Sequence, residues 1–218
     1  MFEVYWGPRG ASVAEGDLVF VDLLRLSTTL VVMFAQGVEE VFVASTPEEA
    51  LRIQRERGSD WLFGERGGMR IKGFNFGNSP TEVLSVDLRG SRAVITTSNG
   101  TPTLLALRRP AVIGALVNAS AVVSFLSGAR RPAFVLAGDR GSPCEEDLAA
   151  AEYLFARASG REVDYDSVAG RILSSRHARE LMEMGMVEDV QFALSLDLFP
   201  HLPYYDPETR SVRPGPPS

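Results

Sequence analysis

The sequence predicts an α/β fold with three layers, α/β/α, a mostly parallel central sheet and a helical C-terminal portion. Short apolar segments rich in Val, Ile and Phe alternate with helical patterns up to about residue 165, and only helical patterns follow. Such alternation is typical of parallel strands joined by crossover helices. With 218 residues, 45% of them hydrophobic, the chain is long enough for one sizeable core. We predict one domain over residues 1–205 and a polar, proline-rich, loose tail over 206–218.

Each element has its own signal. The predicted strands are FEVYW, DLVFVDL, EVFVA, DWLFG, RAVIT, AVIGAL and AFVLA. The helix in TPEEALRIQRER has Thr46 as N-cap, Pro47 at its first position and Glu49 for a capping box. The helix in STTLVVMFAQG is predicted to begin on a hydroxyl cap and to end at Gly37. Four more helices are predicted in TPTLLALRR, CEEDLAAAEYLFARA, SSRHARELMEMG and VEDVQFALSL.

Composition excludes several classes of function. The net charge is −6 and no basic block occurs, which argues against a nucleic-acid partner. No basic segment precedes an apolar one at the start, and no apolar run approaches the roughly 18 residues that span a bilayer. We therefore expect a cytoplasmic protein without a membrane partner. A single cysteine, Cys144, excludes an internal disulfide and a multi-cysteine zinc cluster. A homodimer would be an ordinary assembly for such a chain.

Polar and glycine-rich clusters follow four of the predicted strands at their carboxyl ends. They read DLLRLSTT, GERGG, TTSNGT and AGDRGSPCEED. In an open α/β sheet, loops at this edge line the ligand crevice, and a helix N-terminus beside them favours an anion. Any one of these loops also has a structural explanation, because strand-to-helix turns require Gly, Asn, Ser and Thr. Four together predict a binding site.

The same clusters contain charges that turns do not require. Arginine forks suit phosphate, sulfonate or carboxylate, whereas clustered carboxylates suit a hard cation. The arginines are Arg25, Arg66 and Arg140, and the acids are Asp22, Glu65, Asp139, Glu146 and Asp147. Because acids alone would repel an anion, the pairing predicts a divalent ion, Mg²⁺, that bridges acids and anion. Structural alternatives remain: Glu146 and Asp147 could complement a helix dipole, and Asp22 could form a salt bridge with Arg25.

Several mechanisms lack their residues. Only two histidines occur, His177 and His201, and neither lies in a cluster, which argues against a histidine-dependent triad or a histidine phosphatase. No GxxxxGK[ST] or GxGxxG motif is present. VFVDLLRLST resembles an aspartyl-phosphate motif, but Leu24 stands where that motif has its second acid. A haloacid-dehalogenase-type mechanism is therefore disfavoured.

The stretch GFNFGNSP, residues 73–80, predicts a glycine-hinged loop over the crevice. Phe74 and Phe76 would pack down, while Asn78 and Ser79 would present an amide and a hydroxyl to the ligand. Ser79 could equally be the N-cap of a short helix. Lys72, immediately before the loop, is the single lysine of the chain. It either reflects a coding bias toward arginine or supplies a compact positive charge at the site.

Taken in order, DLLRLSTT, GERGG, GFNFGNSP, TSNGT and AGDRGSPCEED resemble the motifs of the 2-phosphosulfolactate phosphatases. These are magnesium-dependent enzymes associated with coenzyme M and sulfolactate biosynthesis. The resemblance covers roughly residues 17–155 and extends weakly into the helical remainder. The sequence departs from the family pattern at Leu26, Asn75 and Ser98, where alanine, aspartate and threonine are usual.

The resemblance implies a Mg²⁺-dependent phosphatase acting on the phosphate monoester of a small anionic 2-hydroxy acid, with 2-phospho-3-sulfolactate as substrate. Its catalytic residues would be Asp22 and Arg25, with Asp22 as nucleophile, general base or metal ligand. Glu65 and Asp147 are the first predicted metal ligands, followed by Asp139 and Glu146. The predicted substrate-binding residues are Ser27, Thr28, Arg66, Lys72, Asn78, Ser79, Thr97, Asn99, Gly100, Thr101, Arg140 and Gly141. Two alternatives stay open: a different phosphorylated hydroxy acid as substrate, and a non-catalytic anion-binding protein.

Overall fold

A computed structural model describes residues 2–139 and 142–215. Its strands are β1 (Glu3–Trp6), β2 (Asp17–Val21), β3 (Glu40–Val43), β4 (Trp61–Arg66), β5 (Met69–Arg70), β6 (Arg92–Thr96), β7 (Ala111–Ile113), β8 (Pro132–Leu136), β9 (Tyr204–Asp206) and β10 (Ser211–Arg213). Its helices are α1 (Gly7–Ala11), α2 (Leu26–Ala35), α3 (Pro47–Arg57), α4 (Pro80–Val83), α5 (Gly100–Ala106), α6 (Ala119–Gly128), α7 (Glu145–Ala158), α8 (Tyr165–Leu173), α9 (Arg176–Glu183) and α10 (Val187–Ala193). A 3₁₀ turn covers Leu116–Asn118. All seven predicted strands are present, and the predicted α/β class is confirmed.

The described strands form one sheet in the order β1-β8-β2-β7-β9-β10-β3-β6-β4-β5. Strands β1, β8, β2 and β7 pair in parallel, and so do β3, β6 and β4. The hairpin β9–β10 joins these groups through antiparallel pairs, so the two groups run in opposite directions. Neighbouring strands are rotated by about 20–25°, so the six steps from β2 to β4 accumulate roughly 120–150°. The residues at or just after the ends of β2, β8, β4 and β6 line one cavity, so the carboxyl ends of both groups face the same side.

The β9–β10 hairpin corrects two expectations. Strands do not stop near residue 165, and residues 206–213 are not a loose tail. Tyr205 and Val212 are fully buried in the core, and Val212 pairs with Val41 of β3. Each strand has only three residues, and its partner outside the hairpin, in β7 or β3, lies about ninety or more positions away in the chain, so the local pattern contains little strand signal. The division of the chain at residue 205 remains a prediction.

Helices cover the sheet as the three-layer prediction requires. Helix α7 packs against β2 and β8 between α6 and α8, while α3 packs against β4 and β6. Helix α2 is buried on all sides from Leu26 to Phe34, which explains its almost continuous apolar sequence. Within the described residues, no helix combines the length and the apolar character needed to cross a membrane.

The structure shows the caps predicted at Thr46 and Ser79, and one at Ser175 that was not predicted. Thr46 caps α3 by accepting a hydrogen bond from the Glu49 amide at 3.1 Å, and Ser79 and Ser175 cap α4 and α9 in the same way. The hydroxyl cap predicted for α2 is wrong. That helix begins at Leu26, and Arg25 occupies the N-cap position without a side-chain bond. The turn before α2 is instead fixed by the side chains of Asp22 and Ser27, which are described with the candidate active site below.

Candidate active site

A cavity of about 250 Å³ lies where the loops after β2, β4, β6 and β8 meet the starts of α7 and α9. Nine of the predicted site residues line it: Asp22, Arg25, Glu65, Asn78, Thr97, Asn99, Asp139, Glu146 and Asp147. With Glu180, six carboxylates surround this small space. Such a concentration of negative charge would repel an anionic ligand unless a cation intervenes.

Asp22 follows the last residue of β2 and is almost completely buried. Its Oδ1 accepts a hydrogen bond from the Leu26 amide at 3.3 Å. Its Oδ2 lies against Gly100, where a Cβ atom would approach to 2.2 Å. Gly100, predicted to bind substrate, therefore leaves room for the Asp22 carboxylate. Burial raises the pKa of Asp22 to about 6, although the positive charge of His177 partly opposes the rise.

Asp147 uses both carboxylate oxygens to hold backbone. Oδ1 accepts from the Leu23 amide at 2.8 Å and Oδ2 accepts from the Gly138 amide at 3.1 Å. Because Leu23 follows β2 and Gly138 follows β8, this carboxylate ties two neighbouring loops together. Burial raises the pKa of Asp147 well above its usual range, and the nearby charge of Asp22 adds to the effect.

Glu65 holds the loops on the opposite wall. Its Oε1 accepts from the Ser98 amide at 2.6 Å. Its Oε2 accepts from the Gly68 amide at 2.8 Å and from the Ser98 hydroxyl at 3.1 Å. The carboxylate thus joins the GERGG and TSNGT segments and fixes the shape of this wall.

Glu146 and Asp139 differ from these two acids. Glu146 is 3% exposed and has no hydrogen bond or ion pair within residues 2–139 and 142–215. Asp139 accepts from the Asn99 amide group at 3.4 Å and forms an ion pair with Arg176. Of the acids at the cavity, Glu146 is the one whose carboxylate the described protein groups leave unbonded.

Arg25 is held by groups far away in the sequence. Its Nη1 donates to Asp189 Oδ2 at 2.7 Å, and its Nη2 donates to the Gly68 carbonyl at 2.8 Å. Nη1 also lies 2.9 Å from the sulfur of Met186. The salt bridge considered between Arg25 and Asp22 is therefore replaced by a buried pair with Asp189 on α10. The guanidinium still borders the cavity.

Several predicted ligand-binding residues do not line the cavity. Ser27 accepts a hydrogen bond from the Asp22 amide at 2.9 Å, and Thr28 donates to the Leu23 carbonyl at 2.8 Å. Thr101 exchanges hydrogen bonds with Thr97 at the start of α5. These hydroxyls support the loops, so any contact of theirs with a ligand remains a prediction.

Two predicted cations also lie away from the cavity lining. The Arg66 guanidinium donates to the carbonyl oxygens of Glu65 and Ser45 and to the Thr96 hydroxyl. Lys72 is exposed to solvent. This arrangement gives no support to their predicted role in binding the anionic substrate. Arg140 and Gly141, also predicted to bind substrate, lie outside the described residues.

The loop over residues 73–80 packs as expected but presents a single polar side chain to the cavity. Phe74 is buried, and Phe76 stacks on Phe63 with ring centroids 4.9 Å apart. Asn78 lines the cavity, and its Oδ1 is buried without a hydrogen-bond partner in the part of the chain that the structure describes. Ser79 caps α4 and donates to Asp189 at 2.7 Å, so its hydroxyl serves the structure.

Asn75, the position where the family usually has aspartate, does not line the cavity. Its Oδ1 accepts a hydrogen bond from the Leu62 amide at 2.8 Å. A side-chain oxygen at this position therefore fixes the loop to β4, which either an amide or a carboxylate can do.

Helix α9 contributes a wall that sequence reasoning missed. His177, Glu180 and Leu181 line the cavity from one face of α9, and Met184, which caps the helix, lines it beside them. The expectation that no histidine belongs to a cluster is wrong, because one ligand atom each of Asp139, His177 and Glu180 lies within 4.8 Å of the others. The available signal was a histidine and a glutamate on an otherwise apolar stripe of the amphipathic helix.

Comparison with known proteins identifies the family of the chain. The family model for 2-phosphosulpholactate phosphatase matches residues 9–208. A probable 2-phosphosulfolactate phosphatase of Deinococcus radiodurans is 36% identical, with 81% of this chain and 82% of the relative covered. Similarly named proteins of Thermotoga maritima and Caldanaerobacter subterraneus subsp. tengcongensis are 32% and 28% identical, covering 85% and 93% of the chain and 87% and 92% of their own lengths. The chain belongs to the 2-phosphosulpholactate phosphatase family.

Proposed function

We propose that the protein is a Mg²⁺-dependent phosphatase that hydrolyses 2-phospho-3-sulfolactate to sulfolactate and phosphate. Membership of the family and the names of the relatives support the reaction. The cavity volume of about 250 Å³ is below the roughly 300–1,000 Å³ of sites for drug-sized ligands, which favours a small substrate. A cytoplasmic location, a homodimer and a role in coenzyme M biosynthesis remain predictions.

The observation that carries the proposal is the unbonded, buried carboxylate of Glu146 among other acids. A buried carboxylate is costly unless a positive group or several donors compensate it. The described residues offer Glu146 neither, and burial holds the pKa of neighbouring Asp22 near 6. Carboxylate oxygens are the ligands that Mg²⁺ prefers, so the donor set fits this ion.

The acids would divide their tasks around the ion. Glu146 and Asp22 would hold it, because their oxygens are the least engaged by protein donors. Glu65 and Asp147 would orient the loops through their bonds to backbone amides. Asp139 would have a role intermediate between the metal ligands and these loop-orienting acids. When bound, Mg²⁺ would supply charge neutralisation for the phosphate oxygens and for the developing charge of the reaction.

Two further side chains would act on the substrate directly. Arg25 borders the cavity in an orientation fixed by Asp189, which lowers the entropic cost of presenting its remaining donors to an anion. Asn78 would bind the substrate through its amide. Both roles supply positioning and charge stabilisation, on which phosphoryl transfer mainly depends.

The test is phosphate release from 2-phospho-3-sulfolactate and from a panel of small phosphorylated hydroxy acids. We expect activity that excess chelator abolishes and Mg²⁺ restores, with Ca²⁺ a poor substitute because it prefers looser coordination. Full activity in excess chelator would contradict the metal requirement. Hydrolysis of another panel member in preference would change the substrate. Mg²⁺ binding without release from any substrate would favour the non-catalytic alternative.

A further inference from the structure

His177 has an orientation that is fixed through one ring nitrogen and open at the other. Its Nε2 lies 3.0 Å from the Leu24 carbonyl oxygen. A carbonyl can only accept, so Nε2 carries a hydrogen and donates it. Nδ1 is buried and has no hydrogen-bond partner among the described residues, and it lies 3.9 Å from Oε2 of Glu180.

The ring is held by the same loop that carries Asp22. Leu24 is two residues after Asp22 and next to Arg25, and all three border the cavity with His177. The positive charge of His177 is close enough to act on the Asp22 carboxylate. The Leu24 contact therefore sets the tautomer and leaves Nδ1 as the nitrogen that can exchange a proton at the site.

We propose that His177 is a catalytic residue that donates the Nδ1 proton to the ester oxygen when the substrate is cleaved. This proposal rests on the proposed phosphatase function. The P–O bond to the attacking oxygen forms while the ester P–O bond breaks, and its electron pair goes to the ester oxygen. That oxygen takes the proton from Nδ1 and leaves as the alcohol of the hydroxy acid. The proton released by the attacking water returns to His177 through solvent, which restores the imidazolium.

The substrate class explains why a proton donor is needed. The leaving group is a secondary alcohol, whose anion is a poor leaving group unless it is protonated as the bond breaks. Asp147 and Glu65 accept hydrogen bonds from loop amides, and Asp139 and Glu180 pair with Arg176. Glu146 and Asp22 would hold the cation, so these carboxylates are poorly placed to donate a proton. His177 is the cavity side chain with a proton-bearing ring and an unbonded nitrogen among the described residues.

The test compares leaving groups in the His177→Gln variant. A glutamine amide can keep the donor to the Leu24 carbonyl while it removes the acid. We expect kcat/KM for 2-phospho-3-sulfolactate to fall by about 100- to 10,000-fold, whereas that for 4-nitrophenyl phosphate, whose leaving group needs no proton, changes little. His201→Gln is the matched control, because this second histidine lies outside the cavity, and both substrates should be turned over normally.

The outcomes separate the two proposals. Equal losses on both substrates in a folded His177→Gln protein, or a raised Mg²⁺ requirement, would overturn the acid role and indicate a metal ligand or a structural residue. A wild-type protein that releases phosphate from neither substrate would overturn the phosphatase function, and the acid role with it. If the glutamine variant does not fold, His177→Asn is measured in the same way, and a small loss on 2-phospho-3-sulfolactate would overturn the proposal.

Discussion

Glu65 and Glu146 are the same residue type, are buried to the same degree and line the same cavity, yet their surroundings are opposite. Glu65 is 6% exposed and receives three hydrogen bonds, from the Ser98 amide, the Ser98 hydroxyl and the Gly68 amide. Glu146 is 3% exposed and receives none from residues 2–139 and 142–215. The described residues compensate the Glu65 carboxylate and leave that of Glu146 uncompensated.

The difference teaches how acids of one cavity can be ranked. A buried charge persists only if donors or an opposite charge compensate it. The protein supplies donors to Glu65, so its carboxylate already has a structural purpose. None of the described residues donates to Glu146, so its carboxylate is the one left for the cation that we propose. The order of metal ligands that we propose therefore reverses the order expected from sequence, in which Glu65 came first and Glu146 was a reserve.

The largest effect is expected for Glu146→Gln. Loss of a direct ligand should exceed the roughly 10–100-fold that even the outer partners of metal ligands contribute, so we expect kcat/KM to fall by more than about a hundredfold. Thermal stability in chelator should be unchanged or higher, because the neutral amide no longer repels Asp22 and Asp147. Phosphate release and melting temperature measured on one preparation check both parts.

Glu145→Gln is the matched control for this change. Glu145 is the preceding residue, but it is exposed and pairs with Arg171 on the surface. An exposed pair contributes about 0–1 kcal/mol, so activity and stability should both stay close to the wild type. Equal effects of the two substitutions would remove the distinction between buried and exposed acids of this helix.

Asp22→Asn should have the next largest effect, a fall in turnover of about a hundredfold or more. The amide oxygen can still accept from the Leu26 amide, so the fold should be kept. If the variant instead kept its turnover and lost stability, Asp22 would be a structural residue. A covalent phosphoprotein trapped with the wild type but not with the variant would identify Asp22 as the nucleophile.

The same variant has a pH signature in chelator. The pKa of Asp22 is 3.8 in its ordinary state and about 6 when folded, so the folded protein holds this proton more tightly. The resulting stabilisation is complete below about pH 4 and is lost as the pH rises through about 6. The free energy of unfolding of the wild type should therefore fall by roughly 3 kcal/mol more than that of Asp22→Asn between about pH 4 and 7. Parallel stability curves for the two proteins would contradict the raised pKa.

Glu65→Gln should mainly affect stability. One end of the amide is a donor, so it cannot accept from Gly68 and Ser98 as the carboxylate does. An unsatisfied buried amide costs about 1–3 kcal/mol, which lowers the melting temperature of a chain of this size by several degrees. A loss of activity as large as that of Glu146→Gln without a loss of stability would make Glu65 a metal ligand instead.

Local signals predicted most of the fold but not the β9–β10 hairpin that joins its two groups of parallel strands. Strands such as β2 and β8 are continuous apolar segments, and caps such as Thr46 and Ser79 act within four residues of the helix they begin. The β9–β10 hairpin was missed because its strands are short and are stabilised by partners in β7 and β3. A proline-rich segment that pairs over such a distance resembles a tail when only its own composition is considered.

The residues of the candidate site also fall into those that local signals predicted and those that only distant contacts reveal. Acids at strand ends were found because topology brings such ends together, and Asp22, Glu65 and Asp139 all line the cavity. The partner of Arg25 lies 164 residues away on α10, and His177 approaches from α9, so no motif contains either contact. The sequence identified residues whose side chains can take part in binding or catalysis. Tertiary contacts decide which of these side chains are already bonded to other protein groups.

The smallest effect is expected for Ser98→Ala, which tests the anchoring role of Glu65 from the other side. The Ser98 hydroxyl donates to Glu65 Oε2 at 3.1 Å and accepts from the Gly67 amide at 3.3 Å, but the stronger bond comes from the Ser98 backbone amide and is retained. Ser98 is exposed, so water can replace the lost hydroxyl, and the cost should be about 0.5–1.5 kcal/mol. In the double variant with Glu65→Gln the two costs should not add, because both changes remove the same bond. Strictly additive melting temperatures would show that Glu65 holds this wall without the hydroxyl, and the comparison with Glu146 would then rest on the two backbone amides alone.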